Sequence, residues 1–273
     1  METIQRALDL AARQRGSPGL AEADVSANTG VFDKTTMRVE PPVPEPALRL
    51  PVDWEELRES RVVDRNDRRP AARAYRMLRT QVLQRARAHG ISTIGVVSAA
   101  KGEGKTITAI NLALSIAAEP NQSVLLMDLD LRNPSVAQVL RLPLERGLES
   151  WFAGLVQVEE LRCSIEGVDR LSLLPTLAPV PGSSEALAGA ATAGLLKDLK
   201  ARDPQRLVIV DLPPVLLSDD ALTVAPHLDA VVLVVAEART HRDDVERVLE
   251  LLGNTRVIGT VLNCSSESEN RAY

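Results

Sequence analysis

The chain has 273 residues, enough for one large α/β domain with additional segments. Apolar residues make up 45% and aromatic residues only 2%, so the core must be built from Leu, Val, Ile and Ala. A net charge of −5 argues against a general nucleic-acid surface.

Two cysteines, Cys163 and Cys264, form no CxxC pair and exclude a disulfide framework. They read as buried thiols in a reducing cytoplasm. No stretch nears the roughly 20 apolar residues of a membrane span. The start, Met1-Glu-Thr-Ile-Gln-Arg6, has no apolar signal segment. The expectation is a cytoplasmic protein that a partner recruits if it works at the inner face of a membrane.

Residues 1–15 carry Ile4, Ala7, Leu8 and Ala11 at helical spacing, which predicts a short amphipathic helix. A helix that docks on a partner and one that folds back on its own domain fit this pattern equally well. Residues 16–69 lack a period and include Pro41-Pro-Val-Pro-Glu-Pro46. They read as a flexible, Pro-rich linker. From residue 71 to 88 the pattern is helical, with Tyr75, Leu78, Val82 and Ala86 on one side. Arg73, Arg76 and Arg79 recur along it as a solvated basic face or a contact with another subunit.

Residues 91–98 form an apolar, β-branched strand. Ala99-Ala-Lys-Gly-Glu-Gly-Lys-Thr106 follows, and then a helical run at 107–118. Strand, glycine-containing loop and helix together make a P-loop. Its nucleotide-binding candidates are Ala100, Lys101, Gly102, Glu103, Gly104, Lys105, Thr106 and Ile107. The glycines let backbone N–H groups turn toward phosphate oxygens, and the helix N-terminus adds positive potential. Lys105 can reach the β- and γ-phosphates, and Thr106 offers a hydroxyl to Mg²⁺.

The next strand, from Val124, ends in Asp128-Leu-Asp-Leu-Arg132. Asp128 and Asp130 are two apart and share a face if the strand is extended. Asn133 is placed to cap the following helix, with Pro134 in its first turn. Residues 147–161 read as a mixed helical segment with Trp151 and Phe152 in the core. Residues 171–174 read as a short strand, and a helix is expected from 184 to 200. Val210-Asp211-Leu-Pro-Pro214 closes a further strand on a carboxylate, the arrangement that holds Mg²⁺ and its waters. Strands at 230–235 and 256–263 flank a helix at 240–252. Residues 265–273 form a polar tail.

Alternating strands and helices predict an α/β fold with a mostly parallel, doubly wound sheet flanked by helices over residues 70–264. In such a sheet the P-loop, Asp128, Asp130 and Asp211 converge at the C-terminal strand ends, where ligands bind.

The P-loop, Asp128-Leu-Asp-Leu-Arg132 and Val210-Asp211-Leu-Pro-Pro214 together resemble the bacterial tyrosine kinases, P-loop enzymes of the MinD/ParA-like branch. Ala74-Tyr-Arg-Met-Leu-Arg-Thr80, Gly147-Leu-Glu-Ser-Trp151, Leu173-Leu-Pro175, Thr240 and Gly259-Thr-Val-Leu-Asn263 extend the likeness over about residues 70–264. Ile4-Gln-Arg-Ala-Leu8 is similar to the start of cytoplasmic autokinases linked to exopolysaccharide loci.

The resemblance implies an ATP- and Mg²⁺-dependent protein-tyrosine autokinase that regulates polysaccharide synthesis or export. It also implies activation by a membrane chain-length-determinant protein, a polysaccharide co-polymerase. In that family, Lys105 and residues 102–106 hold the phosphates, and Thr106, Asp128 and Asp211 arrange the metal. Asp130 accepts the tyrosine proton, Arg132 orders the strand exit or the phosphates, and Asn263 contacts adenine.

Three positions depart from the family. Lys101 stands in place of a Pro and either touches phosphate or points to water. Arg73 stands where a Glu helps form the homo-oligomer. The tyrosine cluster is reduced to Tyr75, in a helix, and Tyr273, the candidate phosphoacceptor. Tyr273 lies ten residues beyond Asn263. That is up to roughly 33 Å if extended, so reach excludes neither self-phosphorylation nor delivery to a neighbour. Two other functions remain open. One is a MinD/ParA-like ATPase switch, whose signature lysine would fall at Ala100. The other is a nucleotide-binding scaffold without catalysis.

Overall fold

The protein is described by a computed structural model covering residues 48–203 and 205–265. The helix expected over 1–15, most of the Pro-rich stretch and Tyr273 lie outside these residues. Among the described residues eight strands form one sheet: β1 Leu48–Leu50, β2 Thr93–Ser98, β3 Val124–Asp128, β4 Cys163–Ile165, β5 Leu171–Leu174, β6 Leu207–Asp211, β7 Ala230–Ala236 and β8 Val257–Asn263. Their order is β1-β4-β5-β3-β6-β2-β7-β8. Every pairing is parallel except β4 with β5.

The central strands are apolar throughout because both faces are covered. Val124 and Leu126 of β3 enter one core and Leu125 and Met127 the other. The first core packs beneath α1 Trp54–Glu59, α2 Pro70–His89, α3 Lys105–Ala117 and α4 Val136–Val139. The second packs beneath α5 Leu148–Phe152, α6 Ser183–Ala188, α7 Ala190–Arg202, α8 Asp220–Val224 and α9 Arg242–Leu252. Each buried Leu, Ile or Val stabilises this arrangement by roughly 1.5–3 kcal/mol.

Several expectations need correction. Residues 48–69 are not a linker. Leu48–Leu50 pair with β4, Asp53 caps α1, and Leu57, Val62 and Val63 are buried. The buried side chain of Asn111 accepts the amide of Val63 and donates to the carbonyl of Arg61, which ties this segment to α3. The helix expected over 184–200 is two helices, parted where Gly189 is extended. Residues 147–161 contain α5 and then a 3₁₀ turn, Val158–Leu161. Trp151 and Phe152 are half-buried and pack edge to face, with ring centres 4.8 Å apart. Cys163 is buried but Cys264 is only half-buried.

On α2, Arg76 donates to the carbonyl of Asp67, while Arg79 pairs with Glu119 at 2.8 Å and donates to the carbonyl of Ser115. Two of the three arginines therefore serve this chain's own packing. Arg73 is exposed.

Candidate active site

The topology delivers the site. β6 lies between β3 and β2, so Asp128 and Asp211 are register partners at adjacent strand ends, and the P-loop leaves β2 on the other side of β6. Gly102 and Gly104 both have positive φ, +81° and +87°. This lets the loop turn back over the N-terminus of α3, which begins at Lys105. Gly104 also has no room for a side chain, since a Cβ there would lie 1.9 Å from Asn263 Nδ2.

Lys105 points across the crevice. Its Nζ lies 2.6 Å from Asp130 Oδ2 and 3.6 Å from Asp211 Oδ1. Burial works against the Lys105 charge, but Asp211, Asp130 and Asp128 outweigh it and raise its pKa. The Thr106 hydroxyl donates to Asp211 Oδ2 at 2.7 Å and receives the Ser135 hydroxyl at 3.1 Å.

Asp128 is fully enclosed. It accepts the amides of Asp130, Ser135 and Val136 at 3.0–3.1 Å. Its carboxyl thus serves the first amides of α4, and Ser135 rather than Asn133 is the capping position. Burial, reinforced by the neighbouring Asp211 charge, pushes Asp128 up to about 8. Burial also raises Asp211, against the pull of Lys105 and Thr106.

Asp211 Oδ1 is among the buried side-chain atoms without a hydrogen-bond partner, and within the crevice its ion-pair neighbour is Lys105 Nζ at 3.6 Å. That oxygen, beside the Thr106 hydroxyl and the buried Asp128 carboxyl, fits a small hard cation such as Mg²⁺. Among the described residues no three His, Cys, Asp or Glu side chains form a protein-only metal cage. One carboxylate and one hydroxyl, completed by waters and phosphate oxygens, is the kind of set Mg²⁺ takes in nucleotide enzymes. Asp128, with its oxygens given to three amides, suits orienting waters better than direct ligation.

The other candidates divide. Lys101 is exposed and Ala100 and Ile107 are half-buried along the loop. Arg132 makes a two-armed ion pair with buried Asp220 and reaches Asp219 and Ser184, which ties the exit of β3 to the start of α8. These contacts hold Asp220 down at about 2 despite burial. Asn263 reaches the site, where its amide donates to the carbonyl of Glu103 at 2.9 Å. Glu103 folds inward and is buried.

The sequence reasoning missed Ser135 and Thr176, whose hydroxyl donates to the Asp128 carbonyl at 2.7 Å. A serine directly after Pro134 at a helix start was the available signal for Ser135. Thr176 offered none. The motifs at 147–151 and 173–175 also meet, since Leu148 N donates to the Pro175 carbonyl at 2.9 Å.

The family model described as ParA, NUBPL iron-transfer P-loop NTPase, matches residues 91–271. Tyrosine-protein kinase YwqD of Bacillus subtilis is 29% identical over 204 residues, covering 73% of this chain and 83% of its own length. The succinoglycan biosynthesis transport protein ExoP of Rhizobium meliloti is 32% identical over 192 residues, 66% of this chain and 23% of its own. Among solved structures, the chimerical protein CapA2B2 aligns with a TM-score of 0.68 at 26% identity, over 81% of this chain and 95% of that one.

Proposed function

The chain belongs to the ParA family of P-loop NTPases, and from that premise we propose that it is an ATP-dependent protein-tyrosine kinase acting in exopolysaccharide assembly. The observation that carries this reading is Asp130, a second carboxylate at the phosphate crevice beyond the Asp211 that a metal requires, held 2.6 Å from Lys105. The likeness to YwqD supports the reaction class, and the likeness to ExoP supports the pathway.

Lys105 and the N–H groups of residues 102–106 bind the phosphates of ATP. Thr106 and Asp211 would hold Mg²⁺, with Asp128 orienting its waters. The ion supplies charge neutralisation on the transferring phosphoryl group. Tyrosine is a weak nucleophile at neutral pH because its pKa is about 10. Asp130 is placed to accept the phenolic proton as the tyrosine oxygen takes the γ-phosphoryl group and ADP leaves.

Tyr273 is the proposed acceptor. The chain covers only 23% of ExoP, and the remaining work of such a protein is assigned to a membrane polysaccharide co-polymerase that activates this kinase. No helix among the described residues is long and apolar enough to cross a membrane.

Iron transfer, in the family description, has little support here. Burial pushes the Cys163 thiol up to about 12, and Cys264 has no cysteine nearby in sequence to form a ligand pair.

Mass spectrometry after incubation with Mg-ATP tests the proposal, beside Tyr273→Phe and Lys105→Met. A phosphate on Tyr273 that is absent from Lys105→Met supports the kinase. ATP hydrolysis with no phosphotyrosine, even when the co-polymerase's cytoplasmic segment is added, overturns it in favour of a ParA-like ATPase switch.

A further inference from the structure

A P-loop glutamate would ordinarily stand in solvent, but Glu103 is 3% exposed. Its Oε2 accepts the Ala100 amide at 2.9 Å, which closes the loop on itself. Its Oε1 accepts the hydroxyl of Thr240. That hydroxyl is fixed in turn, since it accepts the Ala236 amide at 2.9 Å where β7 ends. The Glu103 carbonyl receives the Asn263 amide from the end of β8. The loop thus hangs from two strand ends that contribute no phosphate ligand of their own.

The loop needs such support. Both flanking glycines have positive φ, and around Gly102 there is open space. A loop of this kind has many accessible shapes, and only a few aim its amides at one phosphate. We propose that Thr240 is a positioning residue for nucleotide. Through the Glu103 carboxylate it holds the P-loop in its phosphate-binding curvature, a role that rests on the nucleotide reading of this loop. The hydrogen bond runs to a charged group, and its loss corresponds to roughly ten-fold in affinity. A strut that merely secured the turn at 236–240 would lower the melting temperature and leave the affinity of the folded protein unchanged.

The test is calorimetric titration of the full chain with Mg-ADP, with melting temperatures recorded in parallel. Thr240→Val is expected to weaken binding by about ten-fold, and Thr240→Ser, which restores the hydroxyl, to stay within about two-fold of the wild type. Glu103→Ala, which also frees the Ala100 amide, should lose at least as much as Thr240→Val, and the double variant no more than Glu103→Ala alone. Wild-type affinity in Thr240→Val, a Thr240→Ser as weak as Thr240→Val, or additive losses would overturn the proposal. If Thr240→Val does not fold, Glu103→Ala decides alone, and unchanged affinity in it sinks the idea. A wild-type chain that binds no Mg-ADP defeats the nucleotide reading itself, a result distinct from all of these.

Discussion

Lys105 Nζ and Asp130 Oδ2 are 2.6 Å apart, inside a crevice where the lysine side chain is 11% exposed and the aspartate 3%. The cation assigned to the phosphates and the carboxylate assigned to the tyrosine proton share one hydrogen bond. Each therefore restrains the position of the other.

Lys105→Met is expected to abolish nucleotide-dependent phosphotransfer. It also strands buried carboxylates, so the variant should lose about 3 kcal/mol of stability, read as a lower denaturation midpoint. Undiminished turnover would refute the site assignment.

Asp130→Asn should bind Mg-ADP as the wild type does while phosphotransfer falls by about 10²–10⁴-fold. Calorimetry and a phosphotyrosine assay separate the two effects. Loss of binding would make Asp130 a ligand-site residue instead.

Gly104→Ala combines a positive φ with a Cβ 1.9 Å from Asn263 Nδ2. Nucleotide binding should disappear while the fold persists, seen as an unchanged far-ultraviolet spectrum. Adding Asn263→Ala removes the clash but not the backbone strain, and it also removes the amide that holds the Glu103 carbonyl, so binding should stay lost.

Asp128, raised by burial and Asp211 to about 8, and Asp211, raised by burial, favour the protonated form. A raised carboxylate gives stability that is present below its unfolded value of about 3.8 and lost as pH climbs through its folded value. Metal-free protein should therefore soften between about pH 4 and 8, and Asp128→Asn should flatten that slope. A cation favours the ionised pair, so Mg-nucleotide binding near pH 7 should release protons and tighten toward pH 8. Titrations in two buffers of different ionisation enthalpy measure the release, and identical heats would contradict it.

Asp229 moves in the opposite sense. Against the cost of burial, Lys200 at 2.7 Å and the amides of Ser92 and Thr93 hold it down at about 2. Its contribution is present above its ordinary 3.8 and is lost as pH falls toward 2. Asp229→Asn should lower stability at pH 7 by roughly 1 kcal/mol, given its partial exposure to solvent, and remove part of the acid-induced loss, as acid titrations of folding would record.

The site was largely legible in the sequence because its chemistry is local. A P-loop and two strand-end carboxylates declare themselves within a few residues, and parallel topology brings strand ends together. The supports were not. Leu48–Leu50 and Cys163–Ile165 are three residues each, too short for a period, and exist as strands only because they find each other. Arg132 could be placed at the crevice but not assigned to Asp220, 88 positions away. Glu103 turns inward onto the nearby Ala100 amide and onto Thr240, a partner 137 positions away. Such pairings depend on how distant segments pack, which single-sequence pattern does not encode.

The sheet order places Leu48–Leu50 at one rim and Val257–Asn263 at the other, with six strands between them. At about 4.8 Å per strand, the two rims are roughly 34 Å apart. The first and the last described strands are therefore the two opposite edges of the sheet. The two rims differ in length, three residues in β1 against seven in β8, so β8 offers the longer edge for pairing with a further strand.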